Sequence, residues 1–183
     1  AAGTTVSGTG GDGINADATF TGNVTVTANS AVTGSANGID ANANIGTVSV
    51  TTGTATVAGT AGDGIQATAS DNVTVTANGS VTGGVNGISA VSTFGGATGG
   101  TATVITTDNS TGGQTISGGT GDGITATGGF GSTFGGDATV IVTDNSTFGT
   151  TVSGGVNGIS ATGGDAGSTF SGGDAAVTIT DNS

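Results

Sequence analysis

Aspartate is the one side chain in this sequence able to do acid–base or metal chemistry. There are twelve, and no Glu, His, Cys, Lys, Arg or Tyr accompanies them. Carboxylates alone permit two chemistries. One is a general acid paired with a general base, as in glycoside cleavage. The other is capture of a hard cation such as Ca2+ by oxygen ligands. The missing residue types close off the rest: a Cys/His zinc site, a disulfide, thiol redox, a Schiff-base lysine and any His-based triad are excluded. With a net charge of −12 and no cationic side chain, nothing can neutralise a phosphate, which excludes nucleic acid as a partner.

Asp12, Asp63 and Asp122 each precede a Gly-Ile pair, and Asn37, Asn86 and Asn157 hold the same place between them. If these residues stack in one column, Asn separates carboxylates that would repel at adjacent positions and offers them amide donors. Tight turn geometry explains Asp and Asn at such a place; cation coordination along the same edge is the functional alternative. Asp108, Asp144 and Asp181 form a second line, each within Thr-Asp-Asn-Ser and with no Asn between them. Stacked directly, they call for screening by solvent ions or for bridging by Ca2+. No cofactor is otherwise required, and the tandem Gly-rich nonapeptide of calcium-binding β-rolls is absent. No unique Asp cluster breaks the periodicity, as a catalytic pair would, so the chain is expected not to be an enzyme. Phe94, Phe134 and Phe170 recur in Ser-Thr-Phe. They are expected to stack as an aromatic ladder, either covering a glycine-rich bulge or presenting a contact face to a sugar or partner.

The elements that position these residues follow from six Gly-Ile anchors, whose isoleucines are Ile14, Ile39, Ile65, Ile88, Ile124 and Ile159. An aliphatic-x-Gly precedes each: Val6, Val32, Val57, Val81, Ile116 and Val152 start these triplets. A short alternating run such as Val24-Thr25-Val26-Thr27 or Val73-Thr74-Val75-Thr76 follows, usually closing on an Asn corner: Asn29, Asn78, Asn109, Asn145, Asn182. Period-2 alternation predicts strands with one face buried, and β-branched residues with dense Gly disfavour helix. Three strand signals per unit, in six equivalent units, predict an all-β parallel β-solenoid of six coils. The coils are placed at about 1–30, 31–54, 55–80, 81–110, 111–146 and 147–183 in a single array. Equivalent aliphatics then form interior columns, each side chain contributing about 1.5–3 kcal/mol on burial. An antiparallel sandwich is the competing architecture, but it gives no reason for equivalent anchors. Neither end shows a polar cap, and joining Ser183 to Ala1 reproduces the internal junction in phase, so head-to-tail stacking on a further copy or unit is expected.

Gly is abundant and aromatics are scarce, as in disordered chains, yet mean hydropathy is positive and the apolar residues recur in register. The pattern aliphatic-x-Gly, (Asp/Asn)-Gly-Ile-x-Ala, Val-Thr-Val-Thr resembles repeats of autotransporter-type and haemagglutinin-type bacterial surface proteins. The resemblance covers essentially the whole chain. It implies a right-handed parallel β-helix exported to the cell surface as a stalk or adhesin, with glycans or cell surfaces as partners. No apolar run is long enough to span a membrane, and the absence of an initiating Met reads as a mature chain or excised segment. Ice binding is a further alternative, because Thr-x-Thr faces order water. Thr25/Thr27 and Thr74/Thr76 suit it, but Ser49/Thr51, Ile105/Thr107 and Ile141/Thr143 are expected to interrupt a regular array.

Overall fold

Alternation of β-branched and hydroxyl residues forms short strands that bury every second side chain. The computed structural model describes residues 4–168 and 171–182. Each coil supplies three strands. In chain order these are β1 (Thr5–Gly8), β2 (Ile14–Thr21) and β3 (Val24–Ala28); β4 (Ala31–Gly34), β5 (Ile39–Ile45) and β6 (Val48–Thr52); and β7 (Val57–Gly59), β8 (Ile65–Ala69) and β9 (Val73–Ala77). The second half holds β10 (Val81–Gly83), β11 (Ile88–Ser92) and β12 (Ala102–Asp108); β13 (Gln114–Gly118), β14 (Ile124–Thr127) and β15 (Ala138–Asp144); and β16 (Thr150–Ser153), β17 (Ile159–Thr162) and β18 (Ala175–Asp181). Like strands of successive coils pair in parallel, giving three six-stranded sheets in the orders β1-β4-β7-β10-β13-β16, β2-β5-β8-β11-β14-β17 and β3-β6-β9-β12-β15-β18. The chain is therefore a parallel β-solenoid of six coils.

The core is a set of columns running along the axis. The six anchor isoleucines are in direct register from Ile14 to Ile159. Ile39, Ile65, Ile88 and Ile124 are completely buried. A second column runs through Val32, Val57, Val81 and Ile116, and a third through Val26, Val50, Val75, Val104 and Val140. Small residues let the coils approach. A Cβ placed on Gly38 would stand 2.5 Å from the carbonyl oxygen of Gly64, and one on Gly123 would stand 2.5 Å from that of Gly158. This backbone contact between coils requires Gly after the Asx residue at the first five anchors.

The last three coils differ in two ways that the repeat pattern did not disclose. Their third-sheet strands are seven residues long against five in β3, β6 and β9, because the alternation continues to Asp108, Asp144 and Asp181. The corner moves outward by two residues, so Asn29 and Asn78 do not share a column with Asn109, Asn145 and Asn182. Only the latter three form an amide ladder, with Asn145 Nδ2 donating to Asn109 Oδ1 at 2.9 Å and Asn182 Nδ2 to Asn145 Oδ1 at 2.8 Å. The glycine-rich insertions are also tied along the axis. Peptide N–H groups of Gly173, Gly164, Gly136 and Gly129 donate in turn to the carbonyls of Gly164, Gly136, Gly129 and Gly100 at 2.8–2.9 Å. Among the described residues no helix is long and apolar enough to cross a membrane.

Candidate functional site

The Asx column is built as its alternation suggests. Each side-chain oxygen accepts the backbone N–H of its equivalent in the next coil: Asn37 N to Asp12 Oδ1 at 2.9 Å, Asp63 N to Asn37 Oδ1 at 2.7 Å, Asn86 N to Asp63 Oδ1 at 2.9 Å, Asp122 N to Asn86 Oδ1 at 2.8 Å and Asn157 N to Asp122 Oδ1 at 3.0 Å. Asn amides also donate to carboxylates, from Asn86 to Asp63 at 3.0 Å and from Asn157 to Asp122 at 2.9 Å. Asn37 instead donates to Gln66 Oε1 at 3.0 Å. Burial raises the Asp63 carboxyl above the usual range, opposed by the Asn86 hydrogen bonds. Asp40, one residue past its anchor isoleucine, is raised first by burial and then by the charges of Asp12, Asp17 and Asp63.

The second acidic line lies where its strand extension carries it. Asp108 is completely buried and Asp144 nearly so, both facing inward at a corner of the prism. In register they follow one another, with Asp181 next. Protein donors meet both oxygens of Asp144 but only one of Asp108, whose buried Oδ2 has no hydrogen-bond partner. Asp144 Oδ1 accepts from Ser146 N and Oγ, each at 2.8 Å, and its Oδ2 accepts from Thr150 N at 2.8 Å. Asp108 Oδ1 accepts from Ser110 N at 2.8 Å. Burial pushes the Asp108 carboxyl up, but hydrogen bonding, with Ser110 foremost, outweighs it and holds the group below the usual range. Asp144 thus serves as an acceptor for the corner peptides of Ser146 and Thr150. Among the described residues no group of three or more acidic side chains converges to hold a metal ion.

The aromatic ladder departs from its expected order. Phe94 stacks on Phe130, with ring centroids 6.0 Å apart and planes 16° from parallel, while Phe134 pairs with Thr98. Phe170 lies outside the described residues. The Ser-Thr-Phe match misleads because the glycine-rich backbone, not the motif, sets the pairing: Phe130 N donates to Thr93 O and Gly95 N to Phe130 O, both at 3.2 Å. Phe130 was visible in the sequence only as a second Phe in the fifth coil's insertion. Phe94, Phe130 and Phe134 remain about half exposed, and Phe94 lines an open depression with Ile45, Ser70 and Asp71.

Pairing also revises the hydroxyl face of the third sheet. Thr25 aligns with Ser49, Thr74, Thr103 and Thr139, not with a row broken at the fourth coil. Thr27 aligns with Thr51 and Thr76, and this second row is interrupted by Ile105 and Ile141 before Thr178. A third short row holds Thr107, Thr143 and Thr180.

The two end coils expose what inner coils bury. Val177 and Ile179 are 48% and 69% exposed, whereas Val140 and Val142, their partners in the preceding coil, are 0% and 3% exposed. With Val142, Val152 and Ile159 they line an open apolar depression. Val6 is 38% exposed at the opposite end. No family model matches this chain, and no curated protein or solved structure matches it.

Proposed function

We propose that the chain is a non-catalytic structural or adhesive rod of an extracellular surface, a subunit or a segment of a fibre that stacks head to tail. The observation that carries this reading is the complementarity of the two end coils. Continuing the internal register across a joint puts Val152 on Val6, Ile159 on Ile14 and Val177 on Val26. It puts Asn157 on Asp12, Asp174 on Asn23 and Asp181 on Ser30, so no carboxylate in these columns meets another there. A further copy or a continuing coil would cover the exposed Val6, Val177 and Ile179 and pair the strand edges beside them. The heterologous geometry propagates rather than closes. A charge of one sign on every rod opposes sideways aggregation while leaving axial contact free. The likeness of the repeats to surface passengers, and the exposed Phe94, Phe130 and Phe134, favour an adhesive role for the flank, with a glycan or cell surface as its target. Electron microscopy and light scattering at rising concentration test the reading. Rods that lengthen with concentration support it, and a single unit at every concentration overturns it.

One observation favours a second reading. The first hydroxyl row on the third sheet, Thr25, Ser49, Thr74, Thr103 and Thr139, runs through five coils at about 4.8 Å spacing before Ala176 and offers a surface on which water can order. Ice-shaping and thermal-hysteresis assays decide it, since a stacking rod without ice affinity gives neither signal.

A further inference from the structure

On one flank of the rod, short coils give way to long ones at the fourth coil. In the first three coils the second and third strands are joined by short corners, residues 22–23, 46–47 and 70–72, whereas the fourth coil runs through residues 93–101 before its third strand begins. The insertions therefore start as a ledge beside the third coil's corner. Where the ledge meets the second and third coils lies the depression lined by Asn44, Ile45, Ser70, Asp71, Thr93 and Phe94. Its volume is about 440 Å³, inside the range of roughly 300–1,000 Å³ typical of small-ligand sites. Backbone bonds fix the ledge: Thr93 N donates to Ala69 O at 2.8 Å and Phe94 N to Ser70 O at 3.2 Å. Phe130 closes the Phe94 ring toward the fifth coil, while the depression opens it toward the second and third. Phe94 and Ile45 are about half exposed and form an apolar wall. The polar side mixes acceptors and donors. The Asp71 carboxylate is exposed and, among the described residues, accepts no hydrogen bond. Asn44 Nδ2 donates to Thr19 O at 3.3 Å, which leaves its Oδ1 to accept. Ser70 Oγ accepts from Gly46 N at 3.2 Å, which leaves its hydroxyl proton to donate.

We infer that this depression binds a sugar ring of a neutral glycan, with the C–H face of the pyranose against Phe94 and its hydroxyls on Asp71, Asn44 and Ser70. The face of a phenyl ring is electron-rich and attracts the weakly positive C–H bonds of a sugar. A free carboxylate is the strongest acceptor the chain can offer to hydroxyl donors. A net charge of −12 with no cationic side chain repels uronate, sialate and sulfate groups, so charge selects neutral sugars over acidic ones. The ledge holds Phe94 in place before binding, which spares the cost of ordering it. The inference supplies the ligand class for the adhesive reading above, on which its biological setting rests; head-to-tail stacking plays no part in it.

The test is saturation-transfer NMR on the full chain in D2O. Phe is the only aromatic residue type present, so irradiating aromatic protons reaches phenyl rings alone. Cellobiose, lactose and chitobiose are the neutral probes, with digalacturonate as the acidic probe and tetralysine as the basic one. The expected result is transfer to the ring C–H protons of a neutral disaccharide and none to digalacturonate. F94A and D71A are each expected to weaken that binding at least about tenfold, with circular dichroism melts unchanged because both side chains are at the surface. F20A removes a largely exposed phenyl outside the depression and is expected to bind as the parent does. No transfer to any neutral probe, equal transfer to digalacturonate, or undiminished binding by F94A overturns the site. Transfer to tetralysine alone overturns the glycan assignment in favour of a basic partner. Adherence of the chain to cells is measured alongside. If F94A and D71A adhere as the parent does, the site is overturned and the adhesive reading stands. If the parent binds a disaccharide but adheres to no cell, the adhesive reading fails and the site stands.

Discussion

Substituting one methyl group at two equivalent glycines separates folding from stacking. In G38A the new Cβ lies 2.5 Å from Gly64 O, 2.7 Å from Val57 Cγ1 and 3.0 Å from Ala58 C. Two of these are backbone atoms fixed in the ladder, so neighbouring coils must part. Overpacking of this kind costs about 1–3 kcal/mol, from a total stability of order 5–15 kcal/mol. At roughly 2–4 °C per kcal/mol for a chain of this length, Tm falls by about 2–12 °C. In G158A the nearest atoms are Val152 O at 3.2 Å and Val152 C at 3.9 Å, and the backbone is outside the left-handed region. The fold therefore loses little, and reduced freedom of the unfolded chain returns about 0.4–1 kcal/mol. At a joint, however, the same methyl meets the carbonyl of Gly13 in the next unit, as a Cβ on Gly123 meets Gly158 O. The 1–3 kcal/mol then falls on association, weakening it about 5- to 150-fold. Circular dichroism melts read the first effect; light scattering and electron microscopy read the second. Rods of G158A that match the parent's in length and concentration dependence would refute the joint, and an unchanged Tm for G38A would refute the close approach of the coils.

Other outcomes follow from the same geometry. I65D puts an unpaired charge in the middle of the isoleucine column and is expected to abolish cooperative unfolding, as seen in a melt without a transition. D144N turns one acceptor oxygen into a donor facing the N–H of Ser146 or Thr150; a loss of about 1–3 kcal/mol is expected, read as a lower Tm. On acidification Tm is expected to rise and then fall. The raised Asp40 and Asp63 bind protons more readily when folded, so their contribution is complete below the unfolded carboxylate range and is lost as pH rises through their folded values. The depressed Asp108 acts in reverse, its contribution disappearing as pH falls through its folded value. A Tm that falls steadily from neutral pH would contradict the Asp40 and Asp63 environments. Because both oxygens of Asp144 are met by protein donors, Ca2+ and Mg2+ at equal ionic strength are expected to shift Tm alike; a larger shift with Ca2+, reversed by chelator, would establish a specific site.

What the residues alone determine is the repeat and its consequences. The six Gly-Ile anchors specify the isoleucine column because an aliphatic followed two residues on by Ala in Ile-x-Ala can bury both only on one face of a strand. The Asp/Asn alternation is likewise legible, since like charges cannot follow one another in an exposed column and the amide is the isosteric remedy. Local identity stops being informative where the backbone is mostly glycine. Phe94 finds Phe130 rather than Phe134, because in the insertions hydrogen bonds between glycine peptides choose the register and no side chain marks it. The same limit hid the lengthening of β12, β15 and β18. Two extra alternating residues look like a turn in sequence, but pairing carries Asp108 and Asp144 inside, where corner N–H groups take the place of solvent. The hold on the anchor steps likewise belongs to the tertiary arrangement, because the N–H of Gly13, Gly38, Gly64, Gly87 and Gly123 finds its acceptor a whole coil away in the chain.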